Sequence, residues 1–136
     1  MEPYCDYKYY TDQYKGNEVP ETDFIRLSMR ASMKIKERTF GRADNTSGIS
    51  NEAVKLCTCF LIDKMKEYEE LKSTSKKQSN VKSESLGKWS KTFENKSSKE
   101  LEKELQQEIE HIIVQHLVEY EDDNGTLLLY RGCYYV

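Results

Sequence analysis

Apolar residues return every three or four positions in three separate stretches of this chain, a period that fits an α-helix and excludes a strand. The last stretch is the most regular: Leu101, Leu105, Ile109, Ile112, Ile113, Leu117 and Tyr120 fall on one face. Ser97-Ser98-Lys99-Glu100 ahead of it has capping-box spacing, so a helix is predicted to about Glu121. In the middle stretch Ala53, Val54, Cys57, Phe60, Leu61, Met65 and Tyr68 repeat behind a Ser50-Asn51-Glu52 start, predicting a helix to about Leu71. The first stretch carries Phe24, Leu27, Ala31 and Ile35. Pro20 suits its opening turn, Glu21 and Asp23 suit its positive end, and it is predicted to reach about Arg38. Thr39-Phe40-Gly41-Arg42 closes it, with Gly41 free for a left-handed cap and Phe40 expected to turn back to the core.

The connections are as telling as the helices. Asp6 to Tyr14 reads as one or two helical turns laid flat on the body, ending at Lys15-Gly16-Asn17. Ser73 to Ser98 reads as a long loop whose only large apolar anchors are Val81, Leu86, Trp89 and Phe93, and such length in a small domain points to a docking role. After the turn Asp122-Asp123-Asn124-Gly125, residues Thr126 to Val136 read as an extended, strand-prone arm. The expected fold is therefore mainly α: a small bundle of three main helices, a short N-terminal helix, a long loop before the last helix and an extended C-terminal segment. The 136 residues suit one domain. Phe60, Leu61, Ile109, Ile112 and Leu117 are expected in its core.

That core is thin, since only 37% of the residues are hydrophobic and 33% are charged. A chain of this size covers only part of its own surface, so arms that it cannot bury would need a partner. A net charge of -3 argues against nonspecific duplex binding, which draws its affinity from Lys and Arg on phosphates. The charge is unevenly spread: seven Lys face two Glu from Ser73 to Lys99, and nine acids face one Lys from Glu100 to Gly125. Such blocks serve either as solvated faces or as pairing surfaces between subunits. No apolar run approaches the ~20 residues of a bilayer span, and Met1 to Tyr14 lacks the basic-then-apolar order of a signal peptide. Synthesis in the cytoplasm, no membrane partner and four reduced cysteines are expected.

Candidate chemistry is sparse. Cys57 and Cys59 on a helix point roughly 200° apart, so they cannot share a metal and read as buried core thiols. His111 and His116 are off the i, i+4 spacing of a helical metal pair, and no HExxH, nucleophile elbow or phosphate-binding glycine loop is present. No catalytic, metal or cofactor role is expected. Tyr4, Tyr7, Tyr9, Tyr10 and Tyr14 could stack nucleobases, but Lys8 and Lys15 are outweighed by Glu2, Asp6 and Asp12, which favours packing.

Taken in order, the Tyr7 to Tyr14 segment, Pro20-Glu21-x-Asp23-Phe24, Thr39-Phe40-Gly41-Arg42, Val54-Lys55-x-Cys57, Ser83-Glu84-Ser85-Leu86-Gly87-x-Trp89-Ser90 and Gly125-Thr126-Leu127-Leu128-Leu129-Tyr130-Arg131-Gly132 resemble the head-tail connector proteins of long-tailed phages and prophages of Gram-positive bacteria. The resemblance spans nearly the whole chain and rests on order and spacing. It implies a non-enzymatic adaptor in the virion neck, a head-completion ring, dodecameric by family analogy, beneath the capsid portal. Implied partners are copies of itself, the portal protein, the next neck or tail-completion protein, and genomic DNA passing through the lumen without sequence-specific binding. The Lys-rich connection, with Lys88-Trp89-Ser90-Lys91, departs from the family pattern.

The residues expected at the assembly interface are Ser83, Glu84, Leu86, Trp89 and Phe93 in the loop, and Leu127, Leu129, Tyr130, Arg131 and Tyr134 in the arm. Trp89 would fill a neighbour's pocket. The arm would add as a strand to another chain's edge, with Arg131 meeting a carboxylate, unless it folds back on its own helices. The competing function is a small helical regulatory or nucleic-acid-binding protein that uses the Lys-rich loop.

Overall fold

The computed structural model describes residues 2–78 and 98–131. Among them are four α-helices: α1 Tyr7–Asp12, α2 Glu21–Arg38, α3 Gly48–Gln78 and α4 Ser98–Leu117, with a 3-10 turn, Arg42–Asn45, between α2 and α3. The expected mainly helical bundle is present. α3 is its spine, packed against α4 along one side and α2 along another. Leu61, Ile109, Ile112 and Leu117 are buried between the helices as the stripes require, together with Leu27, Ile35, Ile62 and Ile113.

Several boundaries move. α3 continues past Leu71 to Gln78, so the first residues assigned to the long loop are helical. Nothing from Ile49 to Gln78 breaks a helix: Gly and Pro are absent, and Lys and Gln have good helix propensity. The proposed loop anchors Ser83, Glu84, Leu86, Trp89 and Phe93 lie outside the described residues, as does Tyr134. α4 stops at Leu117 rather than near Glu121. Glu119, Glu121, Asp122 and Asp123 would crowd the negative end of a longer helix, and the Asp122 carboxylate instead collects the amides of Asn124 and Thr126 at 3.0 and 2.9 Å.

Two phenylalanines expected inside lie outside. Phe60 is 38% exposed, because Cys57, Leu61, Ile62 and Met65 take the inward face of α3 and leave it on the flank. There its ring meets Tyr14 edge-on at 5.2 Å and His116 at 4.5 Å. Phe40 is 60% exposed. Gly41 does adopt the left-handed conformation, but Phe40 adopts it too, at φ 56°, and this swings its ring outward. Thr39 enters the core in its place: its hydroxyl donates to the Ile35 carbonyl at 2.8 Å and accepts the Ala43 amide at 3.3 Å.

The N-terminal aromatic segment packs flat, as expected. Asp6 caps α1 by accepting the Tyr9 amide at 2.8 Å. A Cβ at Gly16 would lie 2.3 Å from the Tyr10 ring, so this turn requires glycine for the chain to cross the ring.

Candidate assembly surface

The N-terminal tyrosines are held by their hydroxyls as well as their faces. Tyr10 and Tyr14 each donate to one oxygen of Asp63, at 2.6 and 2.7 Å, Tyr4 donates to Asp44 at 2.6 Å, and Tyr9 to Glu52 at 3.2 Å. Burial first, and then the carboxylate partners, push all four phenols up, Tyr9 to about 12. The Tyr4 hydrogen bond in turn holds the Asp44 carboxyl below its usual value, with Lys36 adding to the effect. The Tyr10 ring is fully buried among Tyr7, Tyr14 and Phe24, with centroids 5.3 to 6.1 Å away, and so presents no face to a nucleobase. α2 also grips the backbone here: Ser32 Oγ accepts the Tyr4 amide at 2.9 Å, and Ser28 Oγ donates to the Cys5 carbonyl at 3.0 Å.

The C-terminal segment is held differently. After α4 the chain doubles back, with an antiparallel bridge between Glu121 and Leu127 and the Leu128 amide donating to the Tyr120 carbonyl at 2.9 Å. Leu128 is fully buried in its own subunit's core. Arg42 Nη1 then donates to three carbonyls, those of Leu127, Leu128 and Tyr130, at 3.1, 3.2 and 2.7 Å. This corrects the extended arm expected from Thr126: its described base turns back on its own body, because one leucine finds a core site and an arginine satisfies the carbonyls. Of the interface residues expected here, Leu129 is half-buried, whereas Leu127 and Tyr130 are 45% and 40% exposed and Arg131 lies at the surface.

Arg42 also gathers aromatic surface. Its guanidinium lies 5.4 Å from the Phe40 ring and 5.8 Å from that of Tyr130, within cation–π range. Phe40, Tyr130 and Leu127 thus form an exposed apolar group around one cation. Sequence reasoning found Tyr130 and Leu127 but missed Phe40 and Arg42, which sit more than eighty positions from the arm. Further apolar exposure runs along the outside of α2 at Ile25 and Met33, and at Ile49 and Val118.

The uneven charge is partly used within the subunit. Arg38 donates to Glu110 at 2.7 Å, and Lys72 pairs with Glu102, tying the acidic α4 to α2 and α3. Lys72 holds the Glu102 carboxyl below its usual value, and Arg26 does the same to Glu69. These pairs lie at or near the surface and are worth at most about 1 kcal/mol each.

His116 Nδ1 lies 2.8 Å from the Ile112 carbonyl with its ring against Phe60, while His111 is exposed on α4. Cys57 and Cys59 are both fully buried, and burial pushes the Cys57 thiol up to about 12, so it is not a thiolate at neutral pH. Among the described residues no group of three or more His, Cys, Asp or Glu could hold a metal ion, and no helix is long and apolar enough to cross a membrane. No protein-family model, curated protein or solved structure matches this chain.

Proposed function

We propose that this chain is a structural subunit of a phage neck, a head-completion adaptor that assembles in a ring beneath the portal and offers the next neck or tail component its attachment surface. The observation that carries this reading is the exposed Phe40–Arg42–Tyr130 group at the base of the C-terminal arm. Aromatic residues and arginine dominate the energy of protein interfaces, and here Phe40 and Tyr130 are exposed around a half-buried Arg42 that hydrogen bonds to the chain's own backbone. The order of sequence segments shared with head-tail connectors supports it independently. The acids of α4 and of residues 119 to 123 suit a passage that DNA must traverse without sticking, because like charges repel.

The test is to mix the chain with the portal protein encoded beside it and image the product by electron microscopy. Rings seated on portals are the expected result. Tyr130→Asp should reduce attachment at least about tenfold while leaving the far-ultraviolet circular dichroism unchanged. A chain that stays monomeric beside the portal, and instead binds DNA with an affinity that falls steeply with salt, would replace this reading with the nucleic-acid-binding one.

A further inference from the structure

Cys5 and Cys59 are far apart in sequence yet meet in the fold. Their Sγ atoms are 3.6 Å apart, the closest approach of two thiols among the described residues, and the two side chains are 3% and 0% exposed. Cys59 sits on α3 in the rigid spine. Cys5 sits in the irregular stretch before α1, which is fixed to α2 by the Ser28 and Ser32 contacts and to α3 by the Tyr9, Tyr10 and Tyr14 hydroxyls. Cys5 also lines an open groove of about 650 Å³ bordered by Glu2, Tyr4, Lys8, Tyr9 and Lys55, which puts its side of the pair next to space open to solvent. Cys57, two positions along α3, points the other way and has no such neighbour, which is why spacing along one helix could not reveal the pair.

We propose that Cys5 and Cys59 are an oxidation site: a dithiol that hydrogen peroxide converts into a disulfide, stapling the N-terminal segment to the central helix. A disulfide needs its sulfurs at about 2.05 Å, so the pair must close by about 1.5 Å. Small rotations of the two side chains can supply that movement while the backbone contacts of Ser28 and Ser32 hold. Cys5, lining the groove, attacks one peroxide oxygen and breaks the O–O bond, becoming a sulfenic acid as one water leaves. The Cys59 sulfur then attacks the Cys5 sulfur, its S–H proton leaves with the displaced hydroxyl, and a second water forms. Two thiols lose two electrons and two protons to one peroxide, giving one disulfide and two waters. The hydrogen bond with Cys5 first, and then burial, raise the Cys59 thiol, so Cys59 is not the sulfur that meets the peroxide first. The staple would close a loop of more than fifty residues, and linking so long a loop restricts the unfolded chain strongly. This inference does not depend on the neck reading.

The experiment uses the full chain with Cys57→Ser and Cys133→Ser, so that only this pair can oxidise. Treatment of the folded protein with hydrogen peroxide should lower the intact mass by two hydrogens and produce a peptide linking residues 5 and 59. It should also raise the melting temperature by on the order of 10 °C, and dithiothreitol should reverse all three effects. The unaltered chain should form the same 5–59 link, which guards against an effect of the two serines. Persistence of two free thiols in the folded protein, over-oxidation of Cys5 to a sulfinic acid without a crosslink, or a 5–59 link that appears only after denaturation would each overturn the proposal.

Discussion

The two ends of the described chain leave the helical bundle in opposite ways. At the N-terminus four tyrosine hydroxyls reach carboxylates on the 3-10 turn and α3, and the Tyr10 ring fills the core. At the C-terminus a single leucine is buried, and the rest of the hold is backbone pairing with residues 120 to 122 and one arginine on three backbone carbonyls. Side-chain anchors with buried aromatic area make a segment part of the body. Carbonyl contacts made by one cation fix a position but leave the side chains facing outward. The first arrangement serves stability, and the second leaves Leu127 and Tyr130 exposed.

If that contrast is right, the largest loss should come from Tyr10→Ala. It removes a fully buried ring and leaves Asp63 with one tyrosine, and should cost about 3 to 5 kcal/mol in chemical denaturation. A cost below 1 kcal/mol by the same measurement would show that the N-terminal segment is not part of the core. Leu128→Ala should cost less, about 2 to 3 kcal/mol, because a leucine side chain buries less apolar surface than a tyrosine ring, and proteolysis should then reach the residues after α4 before the bundle melts. Equal losses at the two sites would erase the distinction.

Alkali should separate the ends without mutation. The phenols have raised values in the folded protein, so their contribution is fully present below the ordinary value of 10.0 and is lost as pH rises from there through the folded values. Asp44, Glu69 and Glu102 act in the opposite sense: their contribution is complete above the ordinary values of 3.8 and 4.5 and fades as acid titrates them through lower ones. Titration followed by tyrosine absorbance near 295 nm should therefore show ionisation delayed beyond pH 10.0 and coupled to loss of the N-terminal segment's protection. Phenols titrating at their ordinary value would contradict this. Phe60→Ala should have the smallest effect, about 1 kcal/mol, since its ring sits on the flank. A cost near that of Tyr10→Ala would return Phe60 to the core.

The helices were legible because each carries an apolar stripe, and Leu61, Ile109, Ile112 and Leu117 follow from it directly. Phe60 was misplaced because periodicity defines the middle of a face but not its edge, which depends on what the neighbouring elements cover. Phe40 was misplaced because no local signal announces a left-handed phenylalanine beside the expected left-handed glycine. The Arg42 contacts, the Asp63 pairing with two tyrosines and the Cys5–Cys59 approach join positions forty-nine to eighty-eight apart, beyond the reach of any spacing rule. The arm's apolar character was legible. That Leu128 alone would find a place in the chain's own core was not, because that burial depends on how the chain doubles back after α4.

The most direct measurement is hydrogen–deuterium exchange by mass spectrometry on the chain alone and on the chain mixed with the portal protein that the proposed neck role requires. In the free chain, amides of residues 7–16 should be well protected and those of 126–131 should exchange much faster. On assembly residues 126–131 should gain protection while residues 7–16 stay unchanged. Protection gained only at the N-terminal segment, with residues 126–131 unaffected by the portal, would contradict the assignment of the Arg42 surface to assembly.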